Sequence, residues 1–296
     1  MSSLEELAWP CRVLAPAGDS IPAVLSVPHA GRHYPRALLT EARLERAILR
    51  GLEDPLVDLL VEPAARACGL GALIQQVARA AVDVNRGEDE SDPLLGGDDD
   101  AIIEIGPRAA LGQGVVPRLM GGIEIYGRRL STAAIERRLA LYHRPFHRRL
   151  GEIVAAMRAR HGAAAVLDCH SMPSTAGPGE PDRGQMRADV VLGDRHGTSA
   201  SPALVEALAA AFKRRGYGVR ANRPYAGGFI ASHYGRPSEG LHALQIEFNR
   251  RLYMDEARFE RGPGFATLIA DLTAVLTELA AFPWADLRPC LPQAAE

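Results

Sequence analysis

The sequence is poor in features that mark several protein classes. Its 296 residues include only four cysteines, none in a Cys-x-x-Cys pair, which argues against a thiolate zinc site or a disulfide framework. Lysine and arginine (34) are balanced by aspartate and glutamate (36), so there is no basic excess to neutralise nucleic-acid phosphates. No apolar run approaches the roughly 20 residues that cross a bilayer, and the N-terminus lacks the cationic and apolar segments of a signal peptide. These absences predict a cytoplasmic protein that binds neither nucleic acid nor membrane.

Two kinds of catalytic motif are also absent. The chain contains no Gly-x-Ser-x-Gly elbow, and neither a Gly-x-x-x-x-Gly-Lys-[Ser/Thr] nor a Gly-x-Gly-x-x-Gly loop. Cys169 stands next to His170, and because neighbouring side chains of a strand point in opposite directions, a cysteine nucleophile activated by that histidine is disfavoured. The sequence therefore gives no support to nucleophilic catalysis by serine or to nucleotide binding.

What the sequence does contain is an alternation of short apolar runs with longer helical patterns. This alternation is typical of a sheet covered by helices. We therefore predict an α/β fold in which helices flank a mixed, mainly parallel sheet, built as a single domain over residues 1–296 with 1–20 and 285–296 peripheral. The candidate strands are Ala23–Val27, Gly71–Val77, Ala164–Asp168, Asp189–Leu192, Gly218–Ala221 and Ala243–Phe248.

The longest helical pattern begins near Ser131 and carries apolar residues at helical spacing as far as Met157. Pro145 lies inside this pattern and is expected to kink or break the helix. The acidic segment that follows Arg86 is expected to be a solvated insertion. The other predicted elements are two helices, Ser201–Gly216 including its caps and Gly264–Ala281, and two loops, residues 87–100 and 174–187.

Four polar clusters stand at the ends of predicted strands. Each cluster alone has an ordinary explanation, since a histidine can occupy a turn and Glu247 could face solvent on its strand. Because ligands of open α/β sheets bind outside the carboxyl ends of the strands, four such clusters together predict one shared site. The clusters are Pro28–Gly31, Arg79–Arg86, Asp168–Ser171 and Gln245–Arg250.

Two of the clusters contain histidines, and catalytic zinc is commonly held by histidine together with a carboxylate. His29 and His170 would supply two nitrogens from separate strands. The carboxylate could be Glu53, Asp54 or Asp58. The residues alone do not choose among these three, because an acid before a proline at a helix start is also an ordinary N-cap.

A second histidine pair, His143 and His147, has the i,i+4 spacing that also suits zinc. This spacing places both side chains on one face of a helix. The pair lies among Arg144, Arg148 and Arg149 with no acid nearby, so we predict a solvated basic face there.

The motifs taken together resemble the N-formylglutamate amidohydrolase family. They occur in the family's order and span about Val24 to Glu256, most of the chain. The family is itself similar to zinc carboxypeptidases and aspartoacylase-like hydrolases, which share an α/β fold with a mixed sheet and hold zinc with two histidines and one carboxylate. The motifs are VLSVPHAG, EDPLVDLL, RAAVDVNR, DCHSMPS, DVVLGDRHGTS, NRPYAGGFI and HALQIEFNRRLYMDE.

This resemblance implies a role for each matching residue. One zinc ion is expected on His29, His170 and Asp54, with Asp58 as the second choice for the carboxylate. Glu247 is expected to be the catalytic base, and Arg79 to stabilise the oxyanion. The residues expected to bind substrate are Asn85, Arg86, Asn222, Tyr225 and Arg250.

The activity implied by the resemblance is hydrolysis of N-formyl-L-glutamate to formate and L-glutamate, a step of histidine degradation. A second hypothesis keeps the zinc site but assigns another N-acyl amino acid or a peptide as the small-molecule substrate. A third hypothesis is a noncatalytic binder of acidic amino acids that retains the fold. The sequence carries no signal for an oligomeric state.

Overall fold

A seven-stranded sheet organises the fold in the computed structural model, which describes residues 10–17, 21–96, 106–177 and 182–289. Four of its six strand pairings are parallel, and only β1–β3 and β7–β9 are antiparallel, in the order β1-β3-β2-β6-β9-β7-β8. The predicted mixed, mainly parallel sheet is thereby confirmed. The strands are β1 Cys11–Leu14, β2 Ala23–Val27, β3 Gly71–Gln75, β6 Ala164–Met172, β7 Val190–Gly193, β8 Val219–Ala221 and β9 Leu241–Asn249.

Helices cover both faces of this sheet. Apolar side chains of α3, α7 and α9 pack on one face, and those of α6 and α8 pack on the other together with residues 77–84. Among the described residues, no helix is both long and apolar enough to span a membrane. The helices are α1 Arg36–Glu41, α2 Arg46–Leu49, α3 Val57–Ala67, α4 Pro107–Ala110, α5 Thr132–Arg138, α6 Arg144–His161, α7 Pro202–Arg214, α8 Phe229–Tyr234 and α9 Phe265–Glu278.

Shorter elements complete the description. Two small antiparallel pairs lie outside the main sheet, and a π-helical turn, Leu139–His143, joins α5 to α6. The small pairs are β4 Leu119–Met120 with β5 Ile123–Glu124 and β10 Met254–Asp255 with β11 Glu260–Arg261. The 3₁₀ turns are Arg50–Leu52, Pro237–Glu239, Arg250–Leu252, Leu279–Ala281 and Trp284–Leu287.

The central strands β6 and β9 change character along their length. Side chains alternate between the two faces of a strand, so Val166, Asp168 and His170 share one face of β6. Ala243 and Glu247 share the same face of β9 in the same way, and His170 is paired with Glu247 in the parallel register. On that face the strands begin with apolar side chains in the core and end with buried polar ones. The polar site is therefore built at the carboxyl ends of the central strands.

The polar cluster that contains His170 lies inside β6, although the sequence prediction ends that strand at Asp168. The strand continues to Met172 because residues 168–172 stay paired with β9, as far as Met172 with Asn249. Pro145 does not break the helical pattern: α5, the π-turn and α6 follow one another without interruption over residues 132–161, and Pro145 is the second residue of α6. The predicted break is therefore wrong. The π-turn just before Pro145 is a local irregularity of the helix that accommodates a residue unable to donate an i→i−4 hydrogen bond.

The acidic segment after Arg86 is not a solvated insertion where the structure describes it. Asp92 is buried, and its carboxylate accepts a 2.7 Å hydrogen bond from Nε of Arg118. Glu88 pairs with Arg144 at the start of α6. Residues 97–105 lie outside the described part of the chain, as do 1–9, 18–20 and 290–296 of the segments predicted to be peripheral.

Candidate active site

Three side chains from separate segments converge at the carboxyl edge of the sheet. His29 follows β2, His170 lies on β6, and Asp54 lies in the loop before α3. The Oδ2 atom of Asp54 is 2.9 Å from Nδ1 of His170 and 3.3 Å from Nδ1 of His29. All three residues are buried, and their donor atoms lie within 4.8 Å of one another. The structure thus brings together the three residues expected to hold a metal.

Two further carboxylates lie behind the two histidines. Oδ1 of Asp83 is 2.7 Å from Nε2 of His29, and Oδ2 of Asp168 is 2.7 Å from Nε2 of His170. A carboxylate at Nε2 keeps the proton on that nitrogen and leaves Nδ1 free to bind a cation. The donor set therefore fits a divalent ion of the zinc type, with two imidazole nitrogens and one carboxylate oxygen.

Asp83 and Asp168 had no predicted role, although both stand in the polar clusters. The signal that could have found them is their position two residues before Asn85 and two residues before His170, residues that were expected to bind substrate and metal. On β6 this spacing places Asp168 on the same face as His170.

The carboxylate that meets the histidines is Asp54, and its two neighbours are engaged elsewhere. Asp58 pairs with Arg32, with 3.0 Å between Nη1 and Oδ1. Glu53 accepts a short hydrogen bond from the hydroxyl of Tyr34. The interpretation of Asp54 as an N-cap is wrong, because α3 begins at Val57 and Asp54 makes no cap hydrogen bond.

Hydrogen bonds and opposite charges within the cluster shift the pKa values of Asp54 and His170. Burial acts to raise the pKa of Asp54, but the hydrogen bonds from His170 and His29 lower it well below its ordinary value. Burial acts to lower the pKa of His170, but Asp168 and Asp54 raise it well above its ordinary value. The metal-free cluster therefore holds a proton on His170 at neutral pH, at the place where a cation would bind.

Glu247 lies beside His170 on the neighbouring strand and is buried. Its Oε1 accepts a 2.8 Å hydrogen bond from Nε2 of Gln245, whose own Oε1 accepts one of 2.9 Å from the backbone N–H of Gly228. Burial, opposed by His170, raises the pKa of Glu247 to about 7. A carboxyl group with this pKa can both take and return a proton near neutral pH.

Three arginines surround the cluster at different distances from it. Nε and Nη2 of Arg79 each lie 2.8 Å from Oδ2 of Asp83. Arg86 is turned towards the backbone, where Nη1 donates to the carbonyl of Asn85 at 2.7 Å. Nη2 of Arg250 is 2.6 Å from the carbonyl of Glu53 and 3.4 Å from Oδ1 of Asp54. Arg250 therefore contacts a predicted metal ligand directly.

Asn85 is in contact with the same cluster. Its Nδ2 is 3.2 Å from Nε2 of His170 and 3.5 Å from Oδ2 of Asp168. Its Oδ1 accepts a 2.8 Å hydrogen bond from the backbone N–H of Ile230. Both ends of this amide thus bind protein groups.

Two residues expected to bind substrate contact other parts of the protein. Nδ2 of Asn222 donates to Oδ1 of Asp194 at 2.7 Å, just beyond β7. The hydroxyl of Tyr225 accepts a 3.0 Å hydrogen bond from Nη1 of Arg187. These hydrogen bonds link residues outside the candidate metal cluster.

His143, at the end of the π-turn, and His147 of α6 do not form the predicted solvated basic face. His143 is buried, and its Nε2 is 2.8 Å from the carbonyl oxygen of Arg86. His147 is partly buried, and its Nε2 is 2.8 Å from the carbonyl oxygen of Val84. The arginines on either side of them are exposed. The prediction of a solvated face therefore holds for these arginines but not for the two histidines.

The fold and the site define an α/β protein with a buried His-Asp-His candidate metal centre and a titratable glutamate at the carboxyl edge of its sheet. The sequence model of the N-formylglutamate amidohydrolase family matches residues 21–254. The chain belongs to this family.

Individual relatives agree with this membership. The crystal structure of an N-formylglutamate amidohydrolase from Ralstonia eutropha superposes with a TM-score of 0.84 at 36% identity, covering 92% of this chain and 98% of that one. An N-formylglutamate deformylase of Pseudomonas aeruginosa is 31% identical over 249 residues, 80% of this chain and 83% of the relative. One from Pseudomonas putida is 30% identical over 254 residues, 83% and 86% of the two chains.

Proposed function

We propose that this protein is a zinc-dependent amidohydrolase that converts N-formyl-L-glutamate to formate and L-glutamate, as a step of histidine degradation. The observation that carries the proposal is the convergence of Nδ1 of His29, Nδ1 of His170 and Oδ2 of Asp54 beside Glu247. The names of the relatives from Pseudomonas and Ralstonia support the choice of substrate.

The proposed metal ligands are His29, Asp54 and His170. When bound there, a zinc ion would polarise the acyl oxygen and lower the pKa of a water molecule. Asp83 and Asp168 keep the protons of the two imidazoles on Nε2. Arg250 holds the ligand carboxylate through Oδ1, and this leaves Oδ2 facing the histidines.

Glu247 is the proposed general base and acid. It takes a proton from the attacking water and delivers it to the departing amine, work that contributes about 10²–10⁴-fold in rate. Gln245 fixes the orientation of Glu247, because its amide bridges Oε1 of Glu247 and the backbone of Gly228. A donor at Oε1 leaves Oε2 as the oxygen that exchanges the proton.

Two arginines are proposed to bind the anionic parts of the substrate. Among the residues that the structure describes, none pairs with Nη1 of Arg79 or with Nη2 of Arg86. Arg79 is 23% exposed at its side chain and is proposed to donate to the oxyanion. Arg86 is proposed to bind a substrate carboxylate, for which a guanidinium is well shaped.

The remaining residues expected to bind substrate are assigned according to their contacts. Asn85 and Arg250 are proposed to position His170 and Asp54. Nδ2 of Asn85 donates to Oδ2 of Asp168, the carboxylate behind His170, and Arg250 donates to Asp54. Asn222 and Tyr225 stay predictions as pocket residues.

Hydrolysis of a panel of N-acyl amino acids, with and without a chelator, tests the proposal. We expect N-formyl-L-glutamate to be the preferred substrate and chelation to abolish turnover. Activity that survives removal of all metal would contradict the zinc mechanism. Turnover of another N-acyl amino acid or a peptide, with N-formyl-L-glutamate ignored, would favour the alternative hydrolase. Absence of both activity and stoichiometric metal would favour the noncatalytic binder.

A further inference from the structure

His143, the last residue of the π-turn, and His147 of α6 contact the backbone of the loop that supports the candidate metal centre. This loop, residues 83–88, is called the Asn85 loop here and contains no helix or strand. Nε2 of His147 is 2.8 Å from the carbonyl oxygen of Val84, and Nε2 of His143 is 2.8 Å from that of Arg86. A buried carbonyl group outside regular structure needs such a partner, because leaving it unpaired is unfavourable.

The carbonyl between these two is also bound. The backbone N–H of Phe229 donates to the carbonyl of Asn85 at 3.3 Å, and the side chain of Asn85 accepts from Ile230. The ring of Phe229 packs edge-on against His147 with 5.2 Å between ring centroids. Three successive carbonyl groups of the Asn85 loop, those of residues 84, 85 and 86, are thus held by the π-turn, α6 and α8.

The geometry of α6 explains how both histidines reach the loop. His143 ends the π-helical turn Leu139–His143, and His147 follows four residues later on the same helix face. A π-turn places one extra residue in the helix and so changes which side chains face a given neighbour. The π-turn thus sets which face of α6 is presented to the Asn85 loop.

The protonation of His147 suits a fixed hydrogen bond. Burial lowers the pKa of His147 to about 3, so the ring is neutral at physiological pH and carries a single N–H. Nε2–H donates to the carbonyl of Val84, and Nδ1 lies 3.1 Å from the hydroxyl of Tyr234.

The Asn85 loop in turn contacts both predicted histidine ligands from behind. Asp83 at its start lies against Nε2 of His29, and Asn85 lies against Nε2 of His170. A displacement of the loop would therefore disturb both histidines at once.

We propose that His143 and His147 are positioning residues of the active site: by holding the main chain of the Asn85 loop, they keep Asp83 and Asn85 behind the two histidine ligands. This inference rests on the proposed function, because it assigns the two residues to the same metal centre. Neither histidine touches the metal or the substrate in this role.

Matched substitutions at His147 test the proposal. In His147→Gln the side-chain amide nitrogen replaces Nε2 and can still donate to Val84. In His147→Phe the ring remains and the donor is lost. His233→Phe is the control, because His233 stacks on Phe229 at 4.9 Å in the same aromatic cluster and, within the described residues, its ring bonds to no loop carbonyl.

Three measurements compare these variants with the wild type: hydrogen exchange of the peptide covering residues 83–88, release of zinc to a chelator, and kcat and KM. For His147→Phe we expect faster exchange of this peptide, zinc release accelerated about tenfold, and a similar fall in kcat with a smaller change in KM. His147→Gln and His233→Phe are expected to resemble the wild type. Wild-type exchange and zinc release in His147→Phe would overturn the proposal, as would equal impairment in His147→Gln or His233→Phe.

A second pair of variants decides the question if His147→Phe does not fold. His143→Gln keeps a donor within reach of Arg86, whereas His143→Asn is polar but too short to reach it. Faster exchange of the Asn85 loop in His143→Asn alone supports the proposal, and equal exchange in both contradicts it. Because exchange is measured without metal or substrate, a wild type that fails to hydrolyse N-formyl-L-glutamate would refute the proposed function while exchange still decides the positioning role.

Discussion

Replacing Asp168 by asparagine tests whether the carboxylates behind the histidines tune the metal centre. Asp168 is fully buried, and its Oδ2 lies 2.7 Å from Nε2 of His170. Asparagine keeps the volume and can still accept a hydrogen bond, but it removes the negative charge. Because losing such a partner commonly lowers metal affinity by a factor of 10–100, we expect zinc binding to weaken by about 1.4–2.8 kcal/mol.

The same substitution should also destabilise the metal-free protein. Asp168 and His170 form a buried pair, and removing one charge of such a pair is unfavourable. Because His170 can release its proton when the charge of Asp168 is lost, the cost stays below that of an unpaired buried cation. We therefore expect the free energy of unfolding without metal to fall by about 1–3 kcal/mol.

The assay is competition for zinc with a chelator of known affinity, together with denaturant unfolding of the metal-free protein. Asp92→Asn is the control, since Asp92 is also a buried carboxylate but pairs with Arg118 away from the metal cluster. Zinc affinity should fall in Asp168→Asn and stay unchanged in Asp92→Asn. Wild-type zinc affinity in Asp168→Asn would refute the idea that this carboxylate supports the ligand.

Three further predictions concern the same centre. Glu247→Gln should lower kcat by about 10²–10⁴-fold while zinc stays bound. Steady-state kinetics and metal analysis would measure both. An unchanged kcat would show that Glu247 is not the general base. Asp54→Ala should lose zinc, whereas Asp58→Ala should retain it. If neither variant loses zinc, neither aspartate is the carboxylate ligand of the metal. Although burial opposes the shift, Asp168 and Asp54 raise the pKa of His170, so zinc must displace a proton at neutral pH. Apparent zinc affinity should therefore rise by up to about tenfold per pH unit until the pH exceeds that pKa, and a flat profile from pH 6 to 8 would contradict this.

Sequence patterns predicted the helices and strands that are determined by residues close together in the chain. The strand Ala23–Val27 has the predicted bounds, and the helical spacing between Ser131 and Met157 falls on the continuous helical segment 132–161. Apolar runs and helical spacing act through neighbouring residues, so their effect can be read without knowing the fold. The extension of β6 to Met172 was missed, because it depends on pairing with β9, a strand about 77 positions further along the chain.

The partners within the site depend on contacts between distant residues. The histidines His29 and His170 could be selected from their place at strand ends, yet their shared carboxylate Asp54 lies 25 and 116 positions away from them. Asp58, four residues further along the chain, is also an aspartate, but it faces Arg32.

The sequence by itself determined the class of fold, the family and the types of residue available for chemistry. Hydrophobic periodicity and motifs allow this because both are patterns of residues close together in the chain. Only the tertiary structure decided which acid meets the two histidines, that Asp83 and Asp168 lie behind them, and that His147 binds a loop carbonyl. Those choices depend on where side chains point once the sheet and helices have packed, and no local pattern specifies that direction.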